Sequence, residues 1–280
     1  MERKLQSGQW LKISKMKKLI YILSLCSILC AQFSLAQPKA ENKTDEKGLK
    51  QGYWEKIDPS TKKIIYKGTF KDGKPQGIFT YYFPAIDSVK TKMDFRQEGK
   101  IAYAKLYYYN GKQEAQGKYV GEQKDSLWTF YDGGGVLIST ETYTLGKKNG
   151  PAKVFYPDGK ISEEKIYKDG KLEGPFKQYF EKGVIKAEGA YQKDNYVGKC
   201  VWYYPNGTAA AQGVYENATK KGVWIYKESD GKLKEREVWI NGKQLKPKEM
   251  EEYFKKNKPA PETTPEKKTE KPKEGSPKKK

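Results

Sequence analysis

A repeat of about 24 residues runs through most of the chain and constrains its fold more than any other feature. The repeat openers are spaced by 25, 25 and then always 24 residues, at Gly52, Gly77, Ala102, Ser126, Gly150, Gly174, Gly198 and Gly222. Five residues after an opener stands an aromatic residue: Tyr82, Tyr107, Tyr131, Phe155, Tyr179 and Tyr203. A second aromatic column reads Phe70, Phe95, Tyr119, Tyr143, Tyr167, Tyr191, Tyr215 and Trp239. Two columns with one period indicate a repeated structural unit.

Each unit has the pattern of a β-hairpin. Runs such as "PAKVFY" and "KISEEKIY" alternate apolar and polar residues and are separated by "PDG". Asp-Gly and Asn-Gly pairs, as at Asp158-Gly159, predict tight two-residue turns, because glycine accepts positive φ and Asn or Asp tolerates it. A second set, as at Asp72-Gly73, leads into the next repeat. The sequence therefore predicts about eight hairpins over residues 48–243.

The fold class follows from the weakness of a single hairpin. Only 36% of the chain is hydrophobic and 32% is charged, so a large core is not expected. An isolated hairpin is marginal in water, and stability must come from stacked neighbours. We expect an all-β protein: an elongated, single-layer antiparallel β-meander or solenoid. Its core is a stripe of the residues two positions after each opener: Trp54, Phe79, Ala104, Trp128, Ala152, Phe176, Cys200 and Trp224.

One region departs from the repeat. "PAIDSV", at residues 84–89, lacks the turn glycine, and Ala102 replaces the opening glycine. Both departures lie in the early repeats and predict a bulge there. Cys200, in the stripe, is interpreted as a small buried hydrophobe.

The flanking segments have compositions of their own. Residues 1–36, with a start at Met1 or Met16, read as a signal peptide: "MKK", an apolar run, then "SLA". An uncleaved anchor is the alternative, although the run is below the roughly 20 residues that a spanning helix needs. Residues 37–47 form a linker, residues 244–257 predict a short capping helix starting at Pro247, and residues 258–280 predict a disordered Lys/Pro/Glu-rich tail. Export to the periplasm, cell surface or medium is expected.

The composition argues against catalysis. The chain has no histidine, and signal-peptide cleavage leaves Cys200 as the single thiol. This excludes Ser-His and Cys-His nucleophilic pairs and a cysteine-rich zinc site. Glu163 and Glu164 are adjacent on a strand and point to opposite faces, so they do not form a glycosidase pair. We expect no enzyme activity, no metal and no cofactor.

The repeat resembles a known family. "GPAKVFYPDGKISEEKIYKDGKLEG", at residues 150–174, combines the opening glycine, an aromatic pair, Asp-Gly and a second strand ending in Tyr-x-x-Gly. It is similar to the MORN-repeat variant of bacterial proteins called YwqK-like antitoxins. The resemblance implies a β-meander that serves as a binding platform in protein scaffolding, membrane association or antitoxin-like neutralisation. Export would require a toxin outside the cytoplasm.

The six aromatics of the first column, Tyr82 to Tyr203, are the candidate binding residues. With nearby lysines they could grip a peptide, a glycan or a lipid headgroup, or they could stack on one another and hold the sheet together. The formal charge of +20 is spread over both termini and the repeats. We expect a secreted scaffold with an unknown protein partner. The alternative is lysine-dependent binding of an anionic envelope polymer or lipid headgroups through the C-terminal tail; nucleic acid is not expected.

Overall fold

The structure, a computed structural model, describes residues 41–257. The predicted signal peptide and the predicted disordered tail lie outside these residues, as does the beginning of the linker. The described strands are β1 (Lys43–Thr44), β2 (Lys50–Ile57), β3 (Ile64–Lys71), β4 (Lys74–Tyr82), β5 (Val89–Arg96), β6 (Ile101–Tyr107), β7 (Gln113–Val120), β8 (Gln123–Tyr131), β9 (Leu137–Thr144), β10 (Lys147–Phe155), β11 (Ile161–Lys168), β12 (Lys171–Leu172), β13 (Gly174–Tyr179), β14 (Ile185–Gln192), β15 (Asn195–Tyr203), β16 (Ala209–Glu216), β17 (Thr219–Lys227), β18 (Leu233–Ile240) and β19 (Lys243–Gln244).

These strands form one open antiparallel sheet, which confirms the predicted all-β meander. Successive strands pair along the chain, and the one interruption is at β11, which pairs with both β12 and β13. Residues separated by many repeats therefore do not contact one another through the sheet, and stability comes from nearest neighbours.

Two kinds of turn alternate along the sheet. Most turns that join one repeat to the next are two-residue turns: Asp169 and Gly170 both have positive φ, at 50° and 87°, and Lys168 pairs with Lys171 across them. The connector between β5 and β6 is longer, because Arg96 pairs with Ile101. The turns inside the repeats are wider. At Asp158-Gly159 only the glycine has positive φ, and the Tyr156 N–H donates to the Lys160 carbonyl. The prediction of two-residue turns inside the repeats was therefore wrong, since one left-handed residue after a turn widens the loop.

A bulge explains why the repeat opener is usually glycine. Between β7 and β8, residues Ser126 to Trp128 lie opposite the single residue Gly117, and the opener Ser126 has φ of +61°. A Cβ on Gly117 would overlap the Trp128 ring, so the glycine makes room for the tryptophan. Between β5 and β6 the register is unbroken, and Ala102 is buried in an ordinary strand. The predicted bulge at Ala102 was wrong: the region loses the bulge that other openers have.

The sheet has two faces, set by the alternation of side chains along each strand. We call the side that carries the predicted stripe the stripe face and the other side the outer face. On the stripe face Trp128 packs with Ala104 and Ala115, and Phe176 packs with Ala187 and Cys200. Trp128 and Cys200 are 0% exposed. The core is thus a line of small clusters along one face, as the stripe predicts.

A helix follows the last repeat. The helix α1 (Pro247–Lys256) begins with proline, and the Glu249 carboxylate accepts a hydrogen bond from the backbone N–H of Lys246. The Arg236 guanidinium of β18 lies 5.8 Å from the centre of the Phe254 ring, a contact between the helix and the sheet. Val238, on the outer face beside Arg236, is 0% exposed. No helix within residues 41–257 has the length and apolar character needed to cross a membrane.

Candidate binding face

The six predicted binding aromatics lie on the outer face, in one row across alternate strands, and all are half-buried. Two of them are tied to a neighbouring strand: the Tyr179 hydroxyl donates to Glu164 at 2.9 Å, and the Tyr203 hydroxyl donates to Glu188 at 2.7 Å. Burial and the bonded carboxylate raise the pKa of Tyr179 to about 12 and also raise the pKa of Tyr203. These hydroxyls hold the sheet together and remain protonated at neutral pH.

The other four aromatics of the row are placed differently. The Lys67 ammonium lies 5.7 Å from the centre of the Tyr82 ring. Near Tyr107 the neighbouring Tyr108 donates its hydroxyl to the Tyr131 carbonyl, one repeat further on, at 2.9 Å. Phe155 has no hydroxyl, and its neighbour Tyr156 makes the equivalent inter-repeat bond. Tyr204, after Tyr203, makes the same kind of bond to the Lys227 carbonyl, so the tyrosines that follow three of the six aromatics join successive repeats.

A second outer-face row contains three strongly exposed large side chains of the early repeats. Ile78, Tyr103 and Leu127 each follow a repeat opener by one residue, and they are 68%, 55% and 57% exposed. They stand on β4, β6 and β8, next to the stripe residues Phe79, Ala104 and Trp128 but on the other side of the sheet. The stripe residue that follows each of them along the chain is almost completely buried, so the exposure is confined to the outer face.

These three side chains line a groove on the outer face of β4 to β8. Its volume is about 750 Å³, which is within the range of roughly 300–1,000 Å³ that is typical of ligand sites. The lining also includes Lys92, Lys105 and Lys118, together with the polar residues Asp94, Gln116, Ser126 and Thr129. The groove therefore combines an apolar floor with several ammonium groups.

The groove carries an excess of positive charge. Lys92 on β5 and Lys105 on β6 stand directly opposite each other, and within residues 41–257 neither makes an ion pair. The Asp94 carboxylate is engaged by Arg96 at 2.6 Å, and this hydrogen bond lowers the pKa of Asp94. Like charges directly opposite destabilise a sheet. The lysine pair is therefore a local cost to the sheet that a bound anionic group would remove.

Lys118 differs from the other two groove lysines. Its ammonium lies 2.7 Å from the Asp125 carboxylate, on the next strand. A hydrogen bond from Lys118 is the main reason that the pKa of Asp125 is lowered. Lys118 is therefore already neutralised, and the unpaired positive charge of the groove is that of Lys92 and Lys105.

On the stripe face, two lysines pack over aromatic rings of the protein itself. The Lys124 ammonium lies 4.6 Å from the Trp128 ring centre and 4.7 Å from that of Phe130. Lys220 covers Trp224 in the same way, at 4.7 Å, and also pairs with Glu237 at 2.8 Å. These lysines occupy equivalent positions two residues before an opener. They cover the aromatic stripe and leave it less accessible than the groove.

The described residues contain no constellation for covalent or metal chemistry. Within residues 41–257 no group of three or more His, Cys, Asp or Glu side chains is placed to hold a metal ion. Cys200 is buried, and burial raises the pKa of its thiol, which disfavours the reactive thiolate. The outer face has the groups needed to bind a ligand non-covalently, through apolar contact, aromatic stacking and ammonium groups.

The groove was missed at the level of sequence, although a signal for it exists. The column one residue after each opener reads Tyr53, Ile78, Tyr103, Leu127, Pro151, Pro175, Lys199 and Val223. Each of these residues adjoins a stripe residue and so must point to the opposite face. The first four residues of that column, Tyr53 to Leu127, are all large and aromatic or aliphatic, and such a run indicates an apolar patch on the outer face.

Within residues 41–257 the chain is an open sheet of repeated hairpins with a groove on its outer face, an architecture that is consistent with a binding-type repeat protein. A family model described as "MORN repeat variant" matches three consecutive segments of this chain, residues 148–169, 172–193 and 196–217. MORN repeats are a non-catalytic repeat type, commonly used to bind proteins or membranes. The three segments carry the resemblance noted from the sequence, and the groove lies in the repeats before them.

The other comparisons add nothing to function. No curated protein matches the chain. Among solved structures, a crystal structure of TarM has 9% identity and a TM-score of 0.19, over 41% of this chain and 18% of that one. A Photorhabdus luminescens Tc holotoxin pore structure has 12% identity and a TM-score of 0.18, over 72% and 15% of the two chains. The chain spans under a fifth of either protein, and likenesses this weak carry no argument.

Proposed function

We propose that this protein is an exported, non-catalytic scaffold whose sheet binds a protein partner through the groove of its outer face. The observation that carries the proposal is the row Ile78, Tyr103 and Leu127, each more than half exposed and all lining one groove. Exposed apolar side chains collected in one concave surface are typical of interaction sites. The amphipathic ring of Tyr103 in the middle of the row is suited to a binding hot spot.

Export and the partner's nature rest on the sequence. The N-terminal segment has the pattern of a signal peptide, and the MORN-type repeats are consistent with a binding platform. Antitoxin-like neutralisation fits this proposal only if the toxin is outside the cytoplasm. In that case the groove would bind the toxin, and the sheet would act by covering a surface of its partner.

The test is affinity capture from the native cell envelope. The bait is residues 37–280, compared with the same chain carrying Tyr103→Ser and Leu127→Ser. A matched control carries Ile57→Ser and Leu233→Ser, which change two apolar residues that are each 50% exposed outside the groove. We expect a protein that is retained by the wild type and the control and lost from the groove variant. Equal retention by all three baits would overturn the proposal.

A second candidate function is supported by Lys92 and Lys105, which stand opposite each other without an ion pair. A polyanion such as an envelope polymer, or a membrane surface of anionic lipid, would bind these lysines and the C-terminal tail. Screening shortens electrostatic attraction to roughly 3 Å at 1 M salt. Retention that disappears in a high-salt wash, and from a bait ending at residue 257, would favour this candidate over the protein scaffold.

A further inference from the structure

We infer that the ligand of the groove is an extended acidic segment of a protein, in polyproline II conformation, with an apolar side chain at every third residue. The inference rests on the proposed function, because it names the partner chemistry of the same groove. The segment would cross the strands from β4 to β8. Its apolar side chains would contact Ile78, Tyr103 and Leu127, and its acidic side chains would reach Lys92 and Lys105.

The spacing of the three apolar residues selects the conformation. They stand on every second strand, and neighbouring strands lie about 4.8 Å apart, so successive anchors are separated by about 9.6 Å across the sheet. A polyproline II helix repeats every three residues, or about 9.3 Å. An extended β-strand presents the same face every two residues, or about 6.7 Å. Of these two conformations, the polyproline II helix is the one whose period matches the separation of Ile78, Tyr103 and Leu127.

The charge of the groove selects the composition. The Lys92 and Lys105 ammonium groups face the groove from adjacent strands, while the nearby carboxylates of Asp94 and Asp125 are held by Arg96 and Lys118. An acidic side chain on the ligand would neutralise the lysine pair and relieve its repulsion. A basic segment would add to that repulsion. The groove therefore fits a ligand with acidic residues between its apolar ones.

The chain's own C-terminal segment does not have this chemistry. Residues 258–280 are rich in proline, but they contain eight lysines, four glutamates and no aromatic or large aliphatic residue. The segment is therefore basic and lacks the apolar side chains that the groove would bind. A bilayer surface also fits less well, because the apolar side chains line a groove with a volume of about 750 Å³, and a flat surface does not fill a concave one.

The test uses a fluorescein-labelled peptide of five Leu-Glu-Pro repeats and residues 37–280 of this chain, with fluorescence anisotropy as the readout. Proline favours the polyproline II conformation, and the repeat places leucine at every third residue. Two comparison peptides are used: five Leu-Lys-Pro repeats reverse the charge, and alternating Leu-Glu lacks proline and places leucine at every second residue. We expect saturable binding of the first peptide and at least about tenfold weaker binding of the other two.

Protein variants locate the binding. Lys92→Glu with Lys105→Glu reverses the lysine pair and should weaken the peptide at least about tenfold. Lys182→Glu with Lys199→Glu changes the net charge equally at exposed positions outside the groove and should leave affinity within about twofold. Tyr103→Ser should also weaken binding. Circular dichroism of each variant must match that of the wild type, which is expected since all five positions are exposed.

Three results would overturn the inference: no binding of the Leu-Glu-Pro peptide, equal binding of the alternating peptide, or equal loss in both charge-reversal variants. Vesicles of phosphatidylglycerol are tested in parallel. Binding to the vesicles that is lost in the lysine-pair variant, without binding of the peptide, would assign the groove to a lipid surface instead. If the peptide fails but the envelope protein captured above still depends on Tyr103 and Leu127, the inference fails and the proposed function stands.

Discussion

Leu127 and Trp128 provide a direct test of the two-faced sheet, because these neighbours on β8 point to opposite faces. Trp128 is 0% exposed and its indole N–H donates to the Lys118 carbonyl at 3.0 Å, whereas Leu127 is 57% exposed. Trp128→Ala removes a fully buried ring and should cost about 4 kcal/mol. Leu127→Ala should change the free energy of unfolding by less than about 0.5 kcal/mol.

The assay is hydrogen exchange, because a repeat sheet need not unfold as one unit. In Trp128→Ala, the amides of β7 to β9 that exchange through local opening should exchange roughly 10³-fold faster. The factor follows from the cost of about 4 kcal/mol, because about 1.4 kcal/mol corresponds to a tenfold change in the opening equilibrium constant. Amides of β15 to β18 should change far less, because each repeat contacts mainly its neighbours. Equal acceleration in Leu127→Ala, or uniform acceleration along the sheet, would refute the reasoning.

Three further predictions follow from named contacts. Gly213→Ala places a Cβ against the Trp224 ring and should cost about 1–3 kcal/mol in the local opening free energy measured by hydrogen exchange, whereas Gly133→Ala, in open space, should be nearly neutral; equal effects would contradict the packing. Tyr179, with its pKa raised to about 12 by burial and the Glu164 carboxylate, favours its protonated form in the folded state, so the stability difference between wild type and Tyr179→Phe should be constant below pH ~10 and shrink as the pH rises towards 12. Cys200 should react with a thiol reagent only after denaturation, and rapid labelling of the native chain without residues 1–36 would show that it is not buried.

Much of the fold could be predicted because the repeat supplies the same evidence many times. The stripe was predicted by counting two residues from each opener, and Trp128, Phe176 and Trp224 are indeed buried. The short helix at Pro247 followed from a proline before an amphipathic segment. These are local patterns, and strand alternation or helix capping is enough to produce them.

The errors arose where two local patterns look alike. Asp-Gly occurs in both kinds of turn, but at Asp158 the aspartate keeps negative φ while at Asp169 it does not. The difference depends on how the flanking strands pair. At Ala102 the missing glycine suggested a bulge, whereas the structure has a regular strand there, because an alanine without positive φ continues the ladder.

The groove was harder to foresee. Which face is covered depends on what packs over it, and the sequence does not state that Lys124 covers the stripe or that α1 lies against β18. The unpaired state of Lys92 and Lys105 likewise follows from cross-strand register, which places them opposite each other. The hydroxyl bonds from the tyrosine row to Glu164 and Glu188 were not predicted, and the role of the row in binding stays a prediction.

Site-specific photo-crosslinking in the native cell tests most directly whether the outer-face groove binds a protein. A benzophenone amino acid replaces Tyr103 in the full chain, and in a parallel strain it replaces Leu233, which is similarly exposed outside the groove. We expect a discrete protein adduct from position 103 that is absent from position 233. Adducts of equal yield from both positions, or none from position 103 while position 233 crosslinks, would contradict it.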